Sequence, residues 1–212
     1  MKNSVCVIAA YLEEALAQLG EAPGSPAARN MAQALYETQR VNGNLVQLMA
    51  VYKLQEGLYP FEPVPVALDD FAAEVVARVA PLARIKGLAV DSTACTDLDE
   101  WYFDRDLIAS VVVQSLFNAV RYARSQVQLQ LRVGAEGLEI EVADDGQGFP
   151  GFMLDQGYAG KQAINTQTGS TGLGLYFSRL VAQLHRRDAI TGTTRLANGG
   201  PLGGGRFIIH LP

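Results

Sequence analysis

Residues 143–149 read ADDGQGF and follow directly on the alternating run GLEIEV at 137–142. Asp-Gly after an alternating strand is the commonest short-range hairpin signal, because Gly146 accepts the positive φ that the favoured two-residue turns require. The same residues also suit the floor of a binding pocket. Taken alone the stretch reads as a turn, so the flanking sequence has to decide.

Upstream, the apolar positions Leu107, Val111, Leu116 and Val120 predict a helix from about Asp104 to Ala123, followed by strands VQLQLRV (127–133) and GLEIEVA (137–143). Downstream come a loop rich in glycine, a helix starting near Gly172, and strands AITGTTRL (189–196) and GRFIIHLP (205–212). Before all of these stand a helix over about 69–86 and short strands LAVDST (88–93) and EWYF (100–103). Strands in hairpin order with helices in separate blocks predict an α+β fold, a two-layer sandwich with one mixed sheet covered on one face by helices.

The N-terminal part has a different period. Val5, Ile8, Leu12, Ala15 and Leu19 alternate spacings of three and four, and Met31, Ala34, Thr38, Val41, Leu45, Leu48 and Tyr52 continue the pattern after the breaker EAPGSPAA (21–28). Two such seams predict a helical hairpin. A pair of helices cannot cover both its faces, so either a second copy completes a four-helix bundle or both helices pack on the rest of the chain; the spacing favours the homodimer. Three prolines in LYPFEPVPVALDDF (58–71) forbid a helix and predict an extended link, with Asp69 or Asp70 capping the next helix. The expected division is a dimerisation hairpin at 1–58 and a second domain at 59–212.

Composition narrows the function classes. The 212 residues are 49% hydrophobic with net charge −5, so a full core is expected and a basic surface for nucleic acid is not. Glu13 and Glu14 interrupt what might pass for a secretory signal, and no apolar run approaches the ~20 residues that cross a bilayer. A cytoplasmic chain with no membrane segment is the expectation, with Cys6 and Cys95 as small apolar packing residues.

Three patterns stand in order: QSLFNAVRYA (114–123) on a helix, DDGQGF (144–149) after a strand, and STGLGLYFSRLV (170–181) opening a helix. Together they resemble the ATP-binding domain of sensor histidine kinases, within the superfamily that also holds gyrase, heat-shock chaperone and mismatch-repair ATPases. The hairpin is similar to the dimerisation and phosphoacceptor domain of the same kinases. The resemblance implies that Asp144 accepts a hydrogen bond from the adenine amino group, with Gly146 and Gly148 letting the backbone approach the base. It implies that Asn118 holds magnesium against the triphosphate, an amide oxygen being a suitable hard ligand. Arg121 and Tyr122 match the family's basic and aromatic pair near phosphates and base. Thr171, Gly172, Leu173, Gly174 and Leu175 form a helix start whose N–H groups face phosphate oxygens, and whose simpler reading is a helix capped by Thr171. The segment 151–170 corresponds to the ATP lid, with Lys161 as a phosphate contact.

The chain also departs from the family. Gln114 stands where histidine kinases usually carry asparagine and where the gyrase-like ATPases carry a glutamate that activates water; a glutamine cannot accept that proton. Lys2 and Asn3, with Ser4 in place of proline, match the tail of the family's His-x-x-Lys-Asn-Pro pattern, whose histidine would precede Met1. The two histidines of the chain, His185 and His210, are expected to be structural, so autophosphorylation of the chain as given is not expected. The implied function is ATP-dependent phosphoryl transfer in a two-component system, with ATP and magnesium as cofactors and a response regulator receiver domain or a partner kinase as partner. The alternatives are a non-catalytic scaffold or phosphotransfer-like module with a degenerate nucleotide domain, and a kinase acting on a residue of another protein.

Overall fold

A computed structural model of the chain describes residues 2–18, 26–95, 98–154 and 172–212. Helices α1 (Lys2–Gln18) and α2 (Pro26–Gln55) form the N-terminal hairpin. Then follow β1 (Val64–Ala67), α3 (Leu68–Lys86), β2 (Ala89–Cys95), β3 (Glu100–Phe103), α4 (Arg105–Tyr122), β4 (Gln126–Gly134) and β5 (Gly137–Asp144). The short α5 (Gly151–Leu154), α6 (Leu173–Leu184), β6 (Arg186–Arg187), β7 (Ile190–Thr191), β8 (Thr193–Asn198) and β9 (Gly205–Leu211) complete the described elements.

The main sheet has the order β2-β4-β5-β9-β8. Only β2 and β4 pair in parallel; the other neighbours are antiparallel, which makes this the mixed sheet that the strand pattern predicts. Alternation sends Leu129 and Leu131 of β4, Leu138 and Ile140 of β5, and Ile209 and Leu211 of β9 to one face, all at most 1% exposed. There they meet Phe71, Val75 and Val79 of α3, Ile108, Val111 and Leu116 of α4, and Phe177 and Val181 of α6. Each such side chain contributes about 1.5–3 kcal/mol by leaving water, so this layer contact is the main source of stability. On the opposite face Glu141, 3% exposed, accepts from Arg206 through Nε at 3.0 Å and Nη2 at 2.5 Å, and from Arg132 at 3.0 Å.

Four details differ from the sequence reading. EWYF is not part of the main sheet: β3 pairs antiparallel with β1, which forms inside the expected link, in a separate ribbon. AITGTTRL is broken at Gly192, where a Cβ would lie 2.4 Å from the Ala182 carbonyl oxygen, so β7 pairs with β6 and only β8 joins the sheet. The residue before α3 is Ala67, without a side-chain cap; Asp69 and Asp70 instead sit in the first turn, where their charge favours the helix dipole. Cys6 is exposed rather than packed, because the α1 surface that carries it with Val7, Ile8 and Tyr11 is uncovered.

Helix α2 faces two ways. Val41, Leu48 and Tyr52 of the expected seam are 46%, 56% and 60% exposed. A second stripe, Tyr36, Gly43, Gln47, Val51 and Gln55, turns toward the sandwich, where α2 packs on α3, α4 and α6. Polar and small members hide this stripe from a hydrophobicity pattern.

Candidate nucleotide site

The Asp-x-Gly-x-Gly loop is not a hairpin turn, since β5 pairs with β4 on one side and β9 on the other and the chain leaves the sheet at Asp144. Asp144 is 7% exposed. Its Oδ1 accepts from the Gly146 N–H at 2.7 Å and the Gly205 N–H at 3.3 Å, and its carbonyl accepts from the Gly204 N–H at 3.1 Å. Burial raises the carboxyl above its ordinary value, and the two backbone donors offset part of that. With Oδ1 held this way, Oδ2 keeps its lone pairs for a donor outside the loop.

Glycine is required around this carboxylate for space. A Cβ on Gly204 would stand 2.4 Å from the Asp144 carbonyl oxygen, and one on Gly146 would stand 2.4 Å from the Tyr122 carbonyl oxygen. The second contact presses the loop onto the end of α4. Asp145 completes the join: its carboxylate accepts from the Arg124 N–H at 2.7 Å and from the Ser125 N–H and hydroxyl. Burial raises that carboxyl, but the donated hydrogen bonds outweigh it and hold the group well below the usual carboxylate range.

Helix α4 carries the QSLFNAVRYA pattern. Asp104 caps its start, accepting from the Leu107 N–H at 3.1 Å, and Lys86 donates to the Val120 and Arg121 carbonyls at its end. The inward face is apolar, which leaves Asn118 and Tyr122 exposed and Gln114 and Arg121 half-buried at the rim. The Arg121 guanidinium lies 5.2 Å from the Tyr122 ring centroid and 5.6 Å from that of Tyr36, and it donates to the Tyr36 hydroxyl at 3.4 Å.

The third pattern opens α6. Gly172 precedes the helix with φ +62°, and its carbonyl accepts from the Tyr176 N–H, so Leu173, Gly174 and Leu175 make up the first turn. Their unpaired N–H groups and the dipole favour an anion there. Leu173 and Leu175 are half-buried and pack on the core. Thr171, Lys161 and the rest of the expected lid after Leu154 lie outside the described residues. Gly148, φ +78°, closes the loop against Asn198, whose amide exchanges two hydrogen bonds with the Phe149 backbone, at 2.7 and 2.8 Å.

Gly204, Gly205, Asn198, Tyr36 and Gln47 border the site without having been foreseen. The glycine run at 203–205 was a visible signal for the first two; Asn198 and the α2 residues carried none. Both histidines are placed away from it. His185, 5% exposed, accepts the Asp104 N–H at Nε2 (3.0 Å), which fixes the proton on Nδ1 for the Val181 carbonyl at 2.8 Å. Burial lowers its pKa. His210 lies within β9. Among the described residues no group of three or more His, Cys, Asp or Glu could hold a metal ion; at the α4 rim Gln114 and Asn118 carry amide oxygens.

The comparisons agree with this geometry. The family model for histidine kinase-, DNA gyrase B- and HSP90-like ATPases matches residues 103–212. The adaptive-response sensory kinase SasA of Gloeothece citriformis is 21% identical over 193 residues, covering 86% of this chain and 49% of the relative. The sensor histidine kinase CpxA of Escherichia coli K12 is 31% identical over 115 residues, 52% of this chain and 24% of the relative. The chain thus spans half or less of the length of these curated relatives. The Acinetobacter baumannii histidine kinase AdeS superposes with a TM-score of 0.60 at 16% identity, covering 96% of this chain and 94% of that one, so the hairpin and the sandwich share its fold. Ordered motifs, mixed sheet and family match coincide on one stretch of sequence: the chain belongs to the histidine kinase-, DNA gyrase B- and HSP90-like ATPase family, as a domain of the sensor histidine kinase type.

Proposed function

We propose that the chain binds ATP with magnesium between α4, the Asp144 loop and α6, and serves phosphoryl transfer in a two-component signalling system. The observation that carries this reading is the buried Asp144 carboxylate, tied at Oδ1 by two backbone N–H groups with its second oxygen left to accept. In this reading Asp144 takes the adenine amino group, with Gly146 and Gly148 beneath the base. Asn118 holds magnesium, Arg121 and Tyr122 flank the phosphates and base, and Thr171 to Leu175 present N–H groups to the phosphates. When bound, magnesium supplies charge neutralisation between phosphate oxygens; the residues of this chain bind and orient.

The hairpin at 1–58 is the dimerisation unit in this reading, and 59–212 the nucleotide domain. The exposed seam of Val41, Leu48 and Tyr52, together with Ile8 and Tyr11 on α1, supports a second copy as its cover, which would bring a response regulator or partner kinase to the same bundle. Acceptor chemistry on His185 is unfavourable, because both ring nitrogens are engaged in the core.

Calorimetry with ADP and magnesium on the intact chain and on Asp144→Asn tests the pocket. Replacing the carboxylate should weaken binding by about 1.5–3 kcal/mol, the range for a hydrogen bond to a charged group. Equal affinities, or no binding by either protein, would refute it.

A further inference from the structure

The Asp144 loop is closed at both ends by the β8–β9 hairpin. At its start, Gly204 and Gly205 donate to Asp144. At its finish, Asn198, which stands opposite Gly205 in the β8–β9 ladder, accepts from the Phe149 N–H at 2.7 Å and donates to the Phe149 carbonyl at 2.8 Å. An amide suits this task because it carries an acceptor and a donor in one plane. Phe149 lies outside the strands, so these two bonds do for it what a neighbouring strand does inside a sheet. Gly148 makes room: with φ +78°, a Cβ there would stand 2.7 Å from Asn198 Oδ1. Asn198 itself is exposed, and its amide serves Phe149 rather than the core.

What the clamp holds is the Phe149 ring. A Cβ on Gly205 would lie 3.0 Å from Asp144 Oδ2 and 3.1 Å from Phe149 Cε2, so the carboxylate oxygen left to accept and the edge of an aromatic ring border one point that glycine leaves open. Adenine offers an amino group where guanine carries a carbonyl, so a base held in one register donates to Oδ2 only if it is adenine. A guanine free to slide sideways brings its own N–H groups to the same oxygen. We propose that Asn198 is a positioning residue for base recognition: by fixing Phe149 it keeps the phenyl ring in register with Asp144 Oδ2 and so sets the preference for adenine over guanine nucleotides. This rests on the nucleotide reading above and adds to it a residue of β8 that acts through Phe149.

The test is calorimetry with ADP and magnesium on the intact chain, with GDP read by displacement of ADP. The proteins are the wild type, Asn198→Ala, Asn198→Asp and Asp144→Asn, each held below its melting range. Asn198→Ala should bind ADP roughly tenfold more weakly, the scale of one lost hydrogen bond, while GDP affinity stays within about twofold. Aspartate keeps the shape and the acceptor but loses the donor, so Asn198→Asp should not restore ADP binding. Equal loss for both nucleotides would make Asn198 a support of the fold alone, and unchanged ADP affinity would make it a turn residue. Full affinity in Asn198→Asp would show that the bond to the Phe149 carbonyl does not act. Each of these overturns the proposal while leaving the Asp144 pocket intact, provided that Asp144→Asn still weakens ADP binding. A wild type that binds no ADP, or that binds ADP and GDP alike, overturns both.

Discussion

Asp144 and Asn118 are placed at the two ends of the proposed site and are held by different means. Asp144 is nearly buried, pinned by N–H groups from Gly146 and Gly205, and its surroundings admit no Cβ at Gly146 or Gly204. Asn118 is exposed on a helix whose stability comes from its other face, one turn after Gln114, and Gln114 approaches Gly174 of α6 together with Gln47 of α2. The difference teaches that the proposed base end is built into the core of the sandwich, while the proposed phosphate end is assembled at a joint with the hairpin. Substitutions that crowd the first should disturb folding and binding together; those at the second should disturb binding alone.

The sharpest way to break the comparison is Gly204→Ala. A methyl 2.4 Å from the Asp144 carbonyl oxygen and 2.5 Å from the Gly146 nitrogen meets backbone on two sides, so the loop has to move. A loss of about 1–3 kcal/mol in urea unfolding is expected, the range for overpacking a closed site. A loss below the error of the melt would mean that the loop yields freely and the rigid-end description is wrong.

Asp144→Asn should separate the two properties at the same end. Burial holds the carboxyl above its ordinary value, so the fold disfavours the ionised form at neutral pH and that cost vanishes as pH falls through the raised pKa. Asparagine can still accept from Gly146 and Gly205 without the charge. The ligand-free variant should therefore melt at or above the wild-type temperature at pH 7 while losing nucleotide. A lower melting temperature would mean that the ionised carboxylate contributes stability of its own.

Asn118→Ala is the matching experiment at the other end. An exposed helical position with no buried contact should change unfolding by no more than about 0.5 kcal/mol. ADP affinity in magnesium should fall, and the fall should shrink in EDTA. Destabilisation beyond that range would show that the α4 rim is part of the folding core.

The smallest effect concerns the frame that holds α4. His185 is neutral in the fold, with its pKa lowered by burial, so its contribution to stability is intact above the unfolded-state value of about 6.5 and is lost as pH falls below it. Tyr59 and Glu62 reach the same corner, at 3.1 and 3.4 Å from the Asp104 carboxylate. Melting temperature should drop between pH 7.5 and 5.5, and by less in His185→Gln. Equal drops would assign the acid sensitivity to other groups.

Periodicity and turn chemistry settled much of the architecture before any coordinates. The strands at 127–133 and 137–143, the helix from Asp104, the two N-terminal helices and the mixed sheet were legible because each depends on local spacing and on burial of one face. Two of the three ordered motifs were legible because close backbone approach needs glycine at particular positions, and the third, QSLFNAVRYA, through its place in the order. What was hidden depends on contacts between distant segments: β3 leaves the sheet for a strand in the link, Gly192 splits the last hairpin, and Gly204 and Gly205 donate to Asp144 from some sixty residues away. The docking stripe of α2 was hidden for a further reason. Its members at the site, Tyr36, Gly43 and Gln47, meet α4 and α6 through a hydrogen bond from Arg121, a close approach to Gln114 and a buried amide, so a hydrophobic period cannot register them. The sequence alone determined which elements carry the proposed site residues; tertiary structure decided which face of α2 meets them, because packing between helices far apart in sequence is set by shape and polar pairing that leave no local repeat.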